Sequence, residues 1–235
     1  MGFISTLFGS GKKQDENCKE ALPGQSSYFL LAHAIVDTSH RCSKRLDSII
    51  KFPNEEERRY QAFWVSFAFV VFFAHMTLRT VFGKFGPAAR DKVLKALAPL
   101  LIEAMAKSFT GPEETLAKFR SELWDVAQEW EIDYSRCEEI LCDPKEADVF
   151  TGNSVLSAFT RNVLELSGYE VPQIELKETY RTSADFFGAG GKMRCRYSAS
   201  PQQALFEIPW VLNVALAELE SLSLSDHIEK LVIAK

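Results

Sequence analysis

The sequence predicts an all-α protein, a single-domain helical bundle of seven or eight helices around a buried, phenylalanine-rich central helix. Three observations support this class. Apolar residues recur at helical spacing through most of the 235-residue chain. Capping residues, prolines and glycines stand where those periodic segments begin and end. Strand-like alternation of apolar and polar residues is nearly absent, and no repeat of fixed period is found.

The composition is that of an ordinary globular protein, with 46% hydrophobic residues, 25% charged residues and a formal net charge of −5. It excludes an intrinsically disordered chain and a collagen-like chain. The acidic balance argues against a phosphate-backbone binder, so we expect no nucleic-acid partner. Five scattered cysteines with no CxxC pair indicate free thiols in a reducing cytoplasm.

Residues 1–25 are predicted to be a flexible segment that contains a short amphipathic turn. An apolar face is followed there by two lysines, and the face consists of Phe3, Ile4, Leu7 and Phe8. One interpretation is weak, reversible contact with a membrane surface, and Met1–Thr6 also fits the myristoylation pattern. The other is a frayed terminus, or a segment that docks on a groove of the same protein.

The helical domain is predicted over residues 26–224. Its first helix covers residues 26–51 and is ended by Pro53. The second begins after Asn54, a capping residue followed by three glutamates, and ends near Phe82. Gly83 stands where a C-terminal capping glycine is expected.

Seven of the 18 phenylalanines lie between Phe63 and Phe85, in this second helix. Its uncharged run is shorter than the roughly 20 apolar residues that a membrane span requires, so the sequence favours a buried central helix. Aromatic side chains can also line an apolar ligand pocket. The pocket candidates are Phe67, Phe72 and His75.

A third helix is predicted from Pro87, with a kink or restart at Pro99, and a fourth from Pro112. The fourth carries an apolar stripe made of Leu116, Phe119, Leu123, Val126 and Trp130. Asp133 is predicted to cap a short helix through Leu141.

Another helix is predicted to start at Thr151 or Asn153 and to stop at Gly168. Residues 169–200 are compatible with either a helix or an ordered loop. The sequence Ser200–Gln203 has the form of a capping box, and it opens a helix that we expect to kink at Pro209. Residues 225–235 form the C-terminal tail.

Two groups of histidines are candidates for a functional site. His75, in the apolar helix, is either a haem or metal ligand or a buried histidine bonded to a neighbouring helix. His33, Asp37 and His40 have the spacing of metal ligands on one helix face. A helical wheel places those three on the solvent face, opposite the apolar stripe. We therefore expect neither a metal nor a cofactor.

Charge is distributed unevenly along the chain. Residues 113–148 contain 12 acids and 4 bases, whereas residues 79–107 contain 6 bases and 2 acids. This polarity would suit a basic partner, head-to-tail self-association, or packing of the two segments against each other.

The glycine-rich loop of residues 188–197 is a candidate contact for an anion or a partner, through Lys192, Arg194 and Arg196. The alternative is a mobile surface loop. It is not a P-loop, because Phe186 and Met193 occupy positions where that motif requires glycine and serine or threonine.

No nucleophile elbow and no HExxH motif is present, so the sequence leans away from an enzyme. The favoured function is a non-enzymatic helical interaction or regulatory protein in the cytoplasm, whose partner is another protein or a second copy of the chain. One alternative is a peripheral membrane-associated protein that uses its N-terminal turn. The other is a small-molecule binder or enzyme with an apolar aromatic pocket near His75.

Overall fold

A computed structural model describes residues 23–47, 55–108, 112–137, 154–166, 211 and 213–222 of the chain. This part is 94% helical, with six helices and no strand, which confirms the all-α prediction. The helices are α1 (Pro23–Asp47), α2 (Glu55–Phe85), α3 (Pro87–Ala106), α4 (Glu113–Arg136), α5 (Val155–Leu166) and α6 (213–221).

Helix α2 packs among the other helices of the described part. It contacts α1, α3, α4 and α5. Four of its phenylalanines are completely buried, namely Phe67, Phe69, Phe72 and Phe73. The segment Arg58–Phe85 is long and apolar enough to cross a membrane, but 78% of its most apolar window is buried inside the protein. A helix that is apolar on all sides and covered by other helices is typical of a protein core.

Interhelical contacts define how the helices run relative to one another. The Ser43 hydroxyl donates to the carbonyl of Ala62 at 2.9 Å, and His40 pairs with Ser66 at 3.0 Å. Later residues of α1 therefore contact earlier residues of α2, so the two helices are antiparallel. Helix α3 returns along α2 after the reversal at Gly86.

Helix α4 is antiparallel to α3, because Arg90 contacts Glu131 and Glu103 contacts Arg120. As a result, four helix ends lie on the same side of the described part: the starts of α1 and α3 and the ends of α2 and α4. We call this side the turn end. It comprises residues 23–30, 77–92 and 131–137.

The prediction that α2 stops at Gly83 is wrong. The helix continues through Gly83 to Phe85, and the break falls at Gly86, which has φ 82° and ψ −177°. A residue before proline avoids the helical region, and Pro87 opens α3. The chain must therefore leave the helix at residue 86, and glycine accepts the positive φ that this exit requires.

The structure also differs from the predictions at the start of α1, at Asp133 and at Pro112, and it excludes the restart alternative at Pro99. Helix α1 already starts at Pro23, and α4 runs through Asp133 to Arg136, so Asp133 does not cap a new helix. Pro112 precedes α4 as its N-cap residue instead of being its first residue. Helix α3 does not restart at Pro99, which lies within it.

The start of α5 is capped by Ser154, whose hydroxyl accepts from the Ser157 amide at 3.0 Å, while the predicted start residues Thr151 and Asn153 lie outside the described residues. The apolar stripes are largely as predicted. Leu31, Ile35, Cys42 and Leu46 of α1 are buried, as are Leu123, Val126 and Trp130 of α4. Within the described part, Cys42 and Cys137 are buried free thiols.

Candidate functional site

The buried side chain of His75 lies at the centre of a polar link between three helices. It is 3% exposed, and its Nδ1 is 2.8 Å from Oε2 of Glu131 on α4. The other carboxylate oxygen of Glu131 accepts from Arg90 of α3 at 3.2 Å. The expectation of a buried histidine bonded to a neighbouring helix is confirmed. We call His75, Glu131 and Arg90 the His75 link.

The chemistry of the link fixes the role of each imidazole nitrogen. An ionised carboxylate only accepts hydrogen bonds, so Nδ1 of His75 carries the proton that it donates to Glu131. In the neutral imidazole, Nε2 is then an acceptor, and it is buried with no hydrogen-bond partner among the described residues. A carboxylate on one nitrogen and a lone pair on the other is also the arrangement of a metal-ligating histidine. Among the described residues, however, no group of three or more His, Cys, Asp or Glu could hold a metal ion.

Tyr134 and Asn162 extend the polar cluster to α5. The Tyr134 ring is fully buried, with its centroid 5.4 Å from that of His75. Its hydroxyl accepts from the Asn162 amide at 3.3 Å. Burial raises the pKa of Tyr134 far above its ordinary value, so the phenol stays neutral at every physiological pH.

The three predicted pocket residues contact different aromatic neighbours. Phe72 and His75 both face the Tyr134 ring, at centroid distances of 6.5 and 5.4 Å. Phe67 lies further along α2, where its ring contacts Trp130 at 6.0 Å. Phe72 also packs on Phe159 at 4.5 Å. Both phenylalanines are therefore members of an aromatic cluster whose rings contact one another.

The placement of His40 on the solvent face of α1 is wrong. Its Nδ1 is 3.0 Å from the hydroxyl of Ser66, which is itself buried. Burial lowers the pKa of His40, and nearby Lys44 lowers it further, while Asp37 acts in the opposite direction. The physical reason is that α1 packs against both α2 and α3, so more of its surface is covered than one apolar stripe would need.

The other two members of that group remain near the surface. Asp37 is exposed and pairs with Arg41 one turn later. His33 is half-buried, and its ring meets that of Phe29 edge-on at 4.4 Å. The structure therefore separates the roles of the three residues that the sequence pattern had grouped.

Charged residues that the sequence analysis treated as surface features also link helices. Arg120 of α4 binds Glu103 of α3 at 2.8 Å and Glu113 at 2.7 Å. Together with the contact between Arg90 and Glu131, this pairing joins the basic and acidic segments within one chain. Intramolecular packing was one of the three predicted roles of the uneven charge distribution. It therefore accounts for part of that distribution.

A buried carboxylate joins α6 to α1. Glu218 is 4% exposed and lies 2.9 Å from Arg45 and 3.6 Å from Arg41. It also lies near Cys42, whose pKa is raised chiefly by burial and further by this carboxylate. The thiol therefore stays protonated and unreactive.

Sequence reasoning missed Glu131, Tyr134, Asn162 and Glu218. One signal was available for Tyr134, which continues the stripe of Leu123, Val126 and Trp130 at helical spacing. The predicted break at Asp133 concealed it. The candidate contacts Phe3, Ile4, Leu7, Phe8, Lys192, Arg194 and Arg196 lie outside the described residues.

Comparison of the chain with protein-family models, with curated proteins and with solved structures found no match.

Proposed function

We propose that this is a non-enzymatic helical protein that acts by binding another macromolecule at its surface, as an interaction or regulatory protein. The observation that carries the proposal is the placement of exposed apolar side chains. Six large apolar residues of the described part are exposed, and five of them lie at the turn end or beside it. Clustered exposed apolar side chains mark interaction sites more often than isolated ones do.

The buried location of the reactive groups supports a binding function over catalysis. Ser66 and His40 have the residue types of a nucleophile and its base, but Ser66 is 1% exposed and the pair lies between α1 and α2. His75 is likewise buried, and its Nδ1 is hydrogen-bonded to Glu131. A catalytic constellation must leave room for a reacting atom of the substrate.

The finer architecture belongs to the same proposal. We expect the whole chain to form one domain of seven or eight helices around α2, in a cytoplasmic protein. The partner is another macromolecule or a second copy of the chain, and nucleic acid is disfavoured by the net charge of −5.

Site-specific photo-cross-linking tests the binding function. A photoreactive phenylalanine analogue is placed at Phe82, which is 53% exposed, or at Trp124, the exposed residue away from the turn end. In cells, we expect macromolecular adducts at position 82 and few at position 124. Mass spectrometry then identifies each adduct as protein or lipid. Equal labelling at both positions, or none at position 82, would contradict a binding role for the turn end.

The unpaired Nε2 of His75 favours a second candidate function, small-molecule binding in the aromatic core. Native mass spectrometry of the protein purified from its source tests this. A small molecule that co-purifies with the wild type and is absent from His75→Phe would support it. Identical masses, after allowance for the substitution, would exclude it.

A further inference from the structure

We propose that the turn end docks onto an anionic lipid surface through Phe82, Phe85 and the basic side chains around them. The inference rests on the proposed binding function of the turn end and goes beyond it, because the partner it names is a lipid surface and not a macromolecule. Its first support is the distribution of exposed apolar residues over three helices: Phe29 (42% exposed), Leu30 (57%), Phe82 (53%), Phe85 (40%) and Ile132 (51%).

The register of the helices places these residues near one another along the helix axes. From the pairing of His40 with Ser66, Phe29 lies beside about residue 77 of α2, because both helices rise about 1.5 Å per residue. Ile132 follows Glu131, which contacts His75. Phe82 and Phe85 lie roughly 7 to 12 Å beyond that level, where the same register places the start of α1.

The reversal between α2 and α3 has the local sequence Phe82-Gly83-Lys84-Phe85-Gly86. The two phenylalanines are three residues apart in a helix and share a face. A β-carbon added at Gly83 or at Gly86 would meet no atom within 4 Å, so the space around the backbone is open. Two exposed aromatic side chains on one face of α2, with a lysine between them in sequence, thus lie where the chain reverses into α3.

The charge of the turn end differs in sign from that of the whole chain. Its described residues carry five basic side chains, Arg79, Lys84, Arg90, Lys92 and Arg136, and three acidic ones, Asp91, Glu131 and Asp133. The local balance of five against three is therefore +2, compared with −5 for the protein. Arg90 and Glu131 pair with each other, and without this pair four basic and two acidic side chains remain, so the balance is unchanged at +2. A basic rim around exposed aromatic side chains is complementary to acidic lipid headgroups.

The combination of residue types favours lipid over a protein partner. Lysine is depleted from the cores of protein interfaces, whereas it accompanies aromatic residues on surfaces that bind membranes. The 22 residues that precede α1 also join the molecule at the turn end, because Pro23 begins there. Their sequence contains Phe3 and Phe8, and its three lysines are balanced by three acidic residues, so the segment adds aromatic side chains but no net charge.

Vesicle co-sedimentation of the full-length protein tests the inference. We expect binding to vesicles of phosphatidylcholine plus phosphatidylserine, weakening with added salt and with omission of phosphatidylserine. The double variant Phe82→Ser/Phe85→Ser should lower the affinity by about a hundredfold, because each phenylalanine that is buried in the lipid is worth about a factor of ten. Lys84→Glu should lower binding by about fivefold or more, and only to the anionic vesicles.

Matched controls separate this effect from general surface changes. Trp124→Ser removes an exposed aromatic side chain from the middle of α4, and Lys118→Glu reverses an exposed lysine at its other end. Both should bind vesicles like the wild type. Circular dichroism confirms that each variant is folded.

Four outcomes would overturn the lipid inference. The first two are that the wild type does not bind vesicles, or that the control variants lose as much vesicle binding as the turn-end variants. The other two are that vesicle binding is lost only when residues 1–13 are deleted, or that Phe82 and Phe85 support a dimer but no vesicle binding. Protein adducts at position 82 in the cross-linking experiment, without vesicle binding, would leave the binding function standing and remove lipid as the partner. Absence of both adducts and vesicle binding would remove both proposals.

Discussion

At the scale of single residues, Glu131 connects three helices through one carboxylate. Its two oxygens accept from His75 of α2 and Arg90 of α3, while its own backbone belongs to α4. His75 already has one buried nitrogen without a partner. Loss of the carboxylate would leave both nitrogens unpaired in the core, where an unmet hydrogen bond costs more than a formed one contributes.

We therefore predict that Glu131→Ala lowers the free energy of unfolding by about 1–3 kcal/mol, measured by urea denaturation. Glu131→Gln keeps an oxygen that can accept from Nδ1, so it should recover part of the loss. An alanine variant as stable as the wild type would show that the His75 link does not stabilise the fold.

Asp133, two residues further along α4, gives a prediction for pH dependence. Burial raises its pKa from 3.8 to about 6, although Arg136 and Arg161 oppose the shift. The folded state thus favours the protonated carboxyl. Its contribution to stability is fully present below about pH 3.8 and is lost as the pH rises through about 6.

Asp133→Asn cannot titrate, so we expect the variant to gain stability relative to the wild type as the pH rises from about 4 to about 7. Urea unfolding at several pH values measures this difference. Asp125→Asn, at an exposed position of the same helix, is the matched control. The same pH dependence in both variants would contradict the prediction.

The partners of His75 could not have been read from the sequence. Its burial followed from the apolar residues around it, but Glu131 is 56 residues away and Arg90 is on another helix. Such a pairing depends on the relative register of three helices, which local periodicity does not encode. The same limit explains Glu218, whose acidic side chain would ordinarily be assigned to the surface.

At the scale of elements, the sequence predicts which face of a helix is buried better than it predicts where the helix begins and ends. The buried positions of α1, α3 and α4 follow the predicted spacing because one face of each helix packs on the core. The environment of His40 differs from the predicted one because α1 packs against two neighbouring helices, α2 and α3. The end of α2 was misplaced because two glycines, Gly83 and Gly86, compete for the capping role.

These two glycines provide a matched pair of substitutions. Gly83 is helical and has open space around it, so Gly83→Ala should raise the free energy of unfolding by about 0.4–1 kcal/mol. Gly86 has φ 82° and ψ −177°, a region that is almost restricted to glycine. Gly86→Ala should lower the free energy of unfolding by about 1–3 kcal/mol.

Thermal and urea unfolding of both variants check the signs. Equal effects of the two substitutions would mean that the reversal between α2 and α3 does not depend on the left-handed conformation at residue 86.

At the scale of the whole molecule, the phenylalanines of α2 divide into two populations. Those in the middle of the helix are buried among rings from other elements, such as Trp130 of α4 and Phe159 of α5. Those at its end, Phe82 and Phe85, extend into solvent at the turn end. One helix therefore supplies both the centre of the core and the proposed docking surface. The sequence predicted the first role from the apolar run, but the second depends on which residues the other helices leave uncovered.

Substitutions at two positions of the same helix test this division. Phe72 is completely buried and packs on Phe73, Tyr134 and Phe159, so Phe72→Ala should lower the free energy of unfolding by about 3–5 kcal/mol. Phe82→Ala removes the same atoms from a side chain that is 53% exposed, and it should change stability by no more than about 0.5 kcal/mol. Urea denaturation measures both. A small loss at Phe72 would indicate that its ring borders an open pocket instead of a filled core, because a ring with few contacts leaves little to lose when it is removed.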